Sequence, residues 1–104
     1  MVENIEAIKE EARRYANEVR CQLPVDRAYL FGSYAKGTAS ELSDVDICFF
    51  LHDYEGKDRV EMLIRLLRIA RSYKAYFEPL VFETVEIERN NPFVNEILRT
   101  GLEI

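Results

Sequence analysis

Proline and glycine are scarce in this 104-residue chain, three and four in number, so no low-complexity linker divides it. A single domain over residues 1–104 is the expectation, at an ordinary domain size. Cysteine is nearly absent. Cys21 falls at the end of a predicted helix and Cys48 inside a predicted strand, without metal-ligand spacing, and both read as reduced thiols. Long apolar runs are missing too: the stretch from Val45 to Leu51 is far too short for a bilayer and is interrupted by Asp46, so no membrane association is expected. The opening Met1-Val2-Glu3-Asn4-Ile5-Glu6 is acidic and lacks the basic-then-apolar layout of a secretory leader, which makes the cytoplasm the expected compartment. A basic surplus is also absent, with 14 Lys and Arg against 19 Asp and Glu and a formal net charge of −5. A free-standing nucleic-acid binder would carry a patch that neutralises phosphates, so direct nucleic-acid binding is not expected. Such a balance suits a metal–nucleotide site or a basic protein partner instead. What is present is apolar mass: 48% hydrophobic residues, with six Phe and six Tyr, fill a core without disulfides or metals.

Apolar spacing divides the chain into elements. Ile5, Ile8, Ala12, Tyr15, Ala16 and Val19 predict a helix from Asn4 to about Arg20, with Asn4 or Glu3 near its N-cap, ended by Leu23-Pro24. Arg27 to Phe31 reads as a short strand stopping at Gly32, and Ser33 to about Thr38 as a turn opening a short helix bounded by Gly37. Asp44 to Leu51 is the clearest strand. Val45, Ile47, Phe49 and Leu51 share one parity; Asp44, Asp46, Cys48 and Phe50 share the other. Beyond a polar turn around Gly56, an amphipathic helix is predicted from Asp58 to Lys74. Its inward stripe is Val60, Leu63, Ile64, Leu67 and Ala70, with Arg71 at the edge, and the width of the apolar set implies burial on two sides. Ala75 to Phe82 reads as a third strand, which Pro79 places at a sheet edge. Pro92 to Thr100 is a helix with Asn91 as N-cap and Gly101 as the residue just past its end. The fold class is α/β (α+β), a small mixed sheet packed with helices.

Two aspartates carry the chemical argument. Asp44 and Asp46 are two apart on a strand, so both project from one face and share the space a cation would fill. Like charges that close raise each other's pKa unless a cation lies between them. Mg²⁺ takes one or two protein carboxylates and completes its shell with water and phosphate oxygens. Asp44 alone reads equally as a turn residue; Asp46, set among Val45, Ile47, Cys48, Phe49 and Phe50, needs a partner or a metal to offset its desolvation. Upstream, Gly32 at a strand end has no Cβ to block a phosphate, backbone N–H groups follow it, and the Ser33 hydroxyl can donate to a phosphate oxygen. Lys36 adds positive charge or is a solvated lysine.

Gly32-Ser33-Tyr34-Ala35-Lys36-Gly37, a spacer, and Ser43-Asp44-Val45-Asp46-Ile47 together resemble the signature of the DNA-polymerase-β-like nucleotidyltransferase superfamily, nearest to its minimal (MntA-like) branch. The motif spans sixteen residues, and the element order fits over most of the chain. The resemblance implies a Mg²⁺-dependent transfer of a nucleoside monophosphate, AMP from ATP, with the triphosphate at Gly32 and Ser33 and metal at Asp44 and Asp46. The family adds a third acid from a later strand. Glu78 is the candidate, where the family commonly has Asp, and Glu83 is the runner-up; a solvent-facing edge glutamate is the other reading of Glu78. Minimal members commonly pair with a helical HEPN-domain toxin, which implies an antitoxin that modifies its toxin partner. The alternatives are a non-catalytic subunit that neutralises its partner by contact, and a homo-oligomer acting on a small metabolite. Leu66 and Ile69 are candidates for the docking surface. Tyr34 is read as a lid over the nucleotide or as cover for a helix start, His52 as a surface residue, and Phe49 and Phe50 as core and partner-facing residues.

Overall fold

Alternation along each strand builds two apolar faces, and different helices cover them. The computed structural model describes residues 5–37, 44–53 and 59–104, without the side chains of Ile5, Ser33 and Lys36. Four strands, β1 (Val25–Phe31), β2 (Val45–Leu51), β3 (Phe77–Glu83) and β4 (Leu102–Glu103), form one sheet in the order β3-β2-β1-β4. β2 is antiparallel to β1 and parallel to β3, and β4 is antiparallel to β1, so the sheet is mixed as expected. Around it stand α1 (Ile5–Gln22), the single turn α2 (Ser33–Lys36), α3 (Arg59–Ala70) and α4 (Pro92–Thr100), with a 3₁₀ turn at Thr84–Ile87. No helix among the described residues is long and apolar enough to cross a membrane.

On one face Ala28, Leu30, Val45, Ile47, Phe49 and Val81 pack against α1 and α3. The α1 stripe of Ile8, Ala12, Tyr15, Ala16 and Val19 is buried as its spacing predicts, and Leu23 extends it. The N-cap candidates Glu3 and Asn4 lie outside the described residues. Tyr15 is fully buried: it stacks on Phe77 at 4.6 Å, meets Phe49 edge-on at 5.6 Å, and its hydroxyl donates to the carbonyl of Leu66 at 2.8 Å. Burial, with the charges of Tyr73 and Glu18 added, pushes its phenol up.

That bond orients α3 differently from the sequence reading. Met62, Leu66 and Ile69 face the core, whereas Val60, Ile64 and Leu67 are 59%, 44% and 50% exposed. The predicted stripe is therefore only partly inward, through Leu63 and Ala70, the helix is buried on one side, and Leu66 and Ile69 are not available for docking. α3 also stops at Ala70 rather than Lys74, where Tyr73 turns in to donate to Glu18 at 2.6 Å.

On the other face Tyr29, Cys48 and Phe50 pack under Val94 and Ile97 of α4. Phe50 is fully buried there, as Phe49 is on the opposite face, so neither is partner-facing. Burial pushes the Cys48 thiol up to about 12, and Cys21 is exposed; both are free thiols. α4 has the predicted limits. Asn91 Oδ1 accepts from the backbone N–H of Phe93 and of Val94, and Pro92 occupies the first turn. Gly101 closes the helix in an ordinary conformation (φ −78°), not the left-handed one that favours glycine. Its smallness matters instead, since a Cβ would lie 2.6 Å from the Ile97 carbonyl oxygen and 3.2 Å from that of Leu30. This close approach lets β4, absent from the sequence reading, pair with β1 at Leu30↔Leu102. β3 is one edge of the sheet, where a strand carrying Pro79 is tolerated.

His52 is exposed but engaged: its Nδ1 lies 2.7 Å from Asp26 Oδ1, and Thr84 Oγ1 donates to the other oxygen. The Thr84 hydrogen bond foremost, then His52, holds the Asp26 carboxyl below its ordinary range. A depressed folded-state pKa contributes stability above the unfolded value, about 4, which is lost as pH falls through the folded one. Asp26→Asn should therefore cost less than about 1 kcal/mol at neutral pH. Its gap to wild type in urea midpoint should close below about pH 4; a pH-independent gap would contradict the ionic reading.

Candidate active site

One end of the sheet brings together Gly32, Asp44, Asp46 and Glu78. β1 ends at Phe31 and the chain turns at Gly32, whose φ of +74° lies in the left-handed region that L side chains rarely adopt. α2 begins at once, so its first backbone N–H groups follow the turn. The side chains of Ser33 and Lys36 lie outside the described residues, as do Thr38 to Ser43, which lead to Asp44.

Asp46 is central to this end. It stands on β2 between its neighbours Phe31 on β1 and Glu78 on β3, the Cα partners in each ladder. Cross-strand partners project from the same face, so Asp46 and Glu78 are adjacent side chains. Asp44, just before β2, has the same parity and is exposed, as Glu78 is; Asp46 is half-buried. A Cβ built on Gly32 would overlap Oδ2 of Asp46 and lie 3.2 Å from its Cγ, so the bare glycine backbone fits directly against the carboxylate.

The electrostatics agree with the geometry. Burial raises the Asp46 carboxyl, and the charges of Glu78 and then Asp44 raise it further. Among the described side chains no Lys, Arg or His forms an ion pair with Asp46. Adjacent carboxylates of this kind could hold a hard divalent ion that keeps several water or phosphate oxygens. The described residues hold no group of three or more His, Cys, Asp or Glu arranged to hold an ion.

The runner-up acid is placed elsewhere. Glu83 pairs with Leu51 at the far end of β3, five residues from Glu78 and therefore about 16 Å along the strand. Tyr34 is buried in the core under α1 and is not a lid. No local sequence pattern marks the aromatics beside Asp46. Phe31 meets Phe93 edge-on at 6.4 Å, and Phe93 meets Phe82 at 6.0 Å. Their signal is long-range, since three elements contribute one ring each. On the opposite face of this sheet end lies a cavity of about 300 Å³ lined by Ile8, Glu11, Arg14, Tyr34, Val45 and Tyr76, away from the carboxylates.

The family profile described as a nucleotidyltransferase domain matches residues 12–98. A candidate protein adenylyltransferase from Methanocaldococcus jannaschii is 29% identical over 105 residues, covering 99% of this chain and all of its own length. The crystal structure of a candidate nucleotidyltransferase from Sulfolobus solfataricus shares the fold with a TM-score of 0.63 at 23% identity, over 77% of this chain and 70% of that one. A crystal structure of a toxin–antitoxin with AMP-PNP aligns at 0.59 and 19% identity, over 90% of this chain and 69% of its match.

Proposed function

Because the chain belongs to the nucleotidyltransferase-domain family, and is an enzyme of that type, we propose that it transfers AMP from Mg²⁺-ATP to a side chain of a protein partner. The observation that carries this reading is the packing of the Gly32 turn against Asp46, with Glu78 beside it and Asp44 on the same parity. Asp44, Asp46 and Glu78 are the proposed metal and catalytic residues; Gly32, Ser33 and Lys36 are the proposed triphosphate contacts. A divalent ion on these carboxylates supplies charge neutralisation for the phosphate and acceptor oxygens. The chain itself supplies position. Gly32 lets the triphosphate approach the backbone, the following N–H groups and the Ser33 hydroxyl hold it, and Asp46 is kept ionised once a cation offsets its two carboxylate neighbours.

A protein acceptor is supported by the adenylyltransferase relative and by the toxin–antitoxin fold neighbour. In keeping with the family resemblance, the proposed partner is a helical HEPN-domain toxin. Val60, Ile64 and Leu67, exposed along α3, form the apolar stripe on which it would dock.

Ser33→Ala should weaken ATP binding by about 1.5–3 kcal/mol, the cost of losing a hydrogen bond to a charged group. Calorimetric titration with Mg²⁺-ATP measures it, and unchanged affinity would remove Ser33 from the phosphate site. The function itself is tested by incubating the co-purified pair with α-labelled ATP. Label on the partner supports transfer; a bound but unlabelled partner supports neutralisation by contact alone; and rapid labelling of a small molecule without any partner contradicts the protein acceptor.

A further inference from the structure

Phe93 is the second residue of α4, and the residue remains 51% exposed although its ring meets two other aromatic rings. Phe31 and Phe82 stand on the strands that flank β2, at the levels of Asp46 and Phe50 respectively. A ring meeting both, at 6.4 and 6.0 Å, lies over β2 between those levels, on the face that carries Asp46 and Glu78. Its position is fixed from three directions: edge-on against Phe31, tilted against Phe82, and by its own backbone N–H, which donates to Asn91 Oδ1 at 2.9 Å. Tyr34, the aromatic next to the Gly32-Ser33 turn, is buried and offers no open face. We propose that the exposed face of Phe93 is the platform on which the base of the nucleoside triphosphate stacks, a reading that rests on the nucleotide site proposed above.

Three features favour a base as the occupant. The ring is flat, held before binding, and adjacent to the carboxylates on the same face, so a nucleotide anchored by its triphosphate at Gly32 extends over it. Stacking uses the π-face that every base has, so this platform selects by ring area and not by hydrogen-bond pattern. Purine triphosphates should therefore bind more tightly than pyrimidine triphosphates, with little distinction between ATP and GTP.

The chain contains no tryptophan, so Phe93→Trp introduces a single indole fluorophore at the platform. Mg²⁺-ATP should quench its emission, whereas Mg²⁺-tripolyphosphate, which shares the anchor but has no base, should bind and leave the emission unchanged. Phe93→Ala should weaken ATP binding by about five- to 150-fold while leaving tripolyphosphate affinity at the wild-type value. Equal responses to ATP and tripolyphosphate would overturn the platform and leave the nucleotide site standing. So would calorimetric ATP binding that leaves the indole emission of Phe93→Trp unchanged and is undiminished in Phe93→Ala. If neither ligand binds the wild-type protein, the nucleotide site itself fails, and the platform with it.

Discussion

Asp44→Asn combined with Asp46→Asn should reduce nucleotidyl transfer by at least about 10³-fold while the fold survives. A bound divalent ion contributes several kcal/mol of charge stabilisation to such a transfer, and each 1.36 kcal/mol is tenfold in rate. Folding responds in the opposite direction. Asp46 is disfavoured as a carboxylate by burial, by Glu78 and by Asp44, so neutral amides at both positions remove repulsion and should hold or raise the melting midpoint. Rate and stability thus separate, which a merely unfolded variant could not reproduce. Glu83→Gln is the matched control: at the far end of β3 it should retain the wild-type rate. Normal transfer by the double variant would show that the reaction centre lies elsewhere.

Gly32→Val should be nearly as damaging, by a different route. Two costs coincide at this position. A β-branched residue at φ +74° is strained by about 1–3 kcal/mol, and its Cβ would occupy the space of Asp46 Oδ2. The turn cannot relax without moving the carboxylate, and a displacement of about 1 Å in a reacting constellation costs on the order of 10² in rate. The melting midpoint should fall by several degrees, since 1 kcal/mol is worth about 4–8 °C in a domain of this size. Gly32→Ala brings the same Cβ with less branching and should fall between the two. A valine variant with full activity would separate Gly32 from the site.

These effects trace what local sequence encodes and what it does not. The limits of α4 are written in adjacent residues, because Asn91 caps, Pro92 starts and Gly101 ends it. The parity of β2 is equally local, and it sets Asp46 on the same face as Asp44, the residue just before the strand, whatever strands pair beside it. The inward face of α3 is not local. Val60, Leu63, Ile64 and Leu67 make as good a helical stripe as Met62, Leu66 and Ile69; the choice is made by packing against α1, where Tyr15 reaches the Leu66 carbonyl 51 residues away. β4 has two residues, too few for a periodic signal, and exists because Gly101 permits close approach to Leu30. The choice between Glu78 and Glu83 as the neighbour of Asp46 was likewise beyond spacing, since only the parallel register of β2 with β3 sets Glu78 beside it.

The proposed function requires a metal-bound triphosphate where the Gly32 turn meets Asp44, Asp46 and Glu78. Substituting Mn²⁺ for Mg²⁺ with ATP and recording amide line-broadening by NMR tests it directly, because the paramagnetic ion broadens only what is near it. Broadening should be strongest at Gly32 and Ser33, at Asp44 to Ile47, and at Phe77 and Glu78, and should vanish when Asp44 and Asp46 are both asparagine. Broadening centred on any other part of the sheet, or broadening at these amides that persists in the double variant, would contradict it.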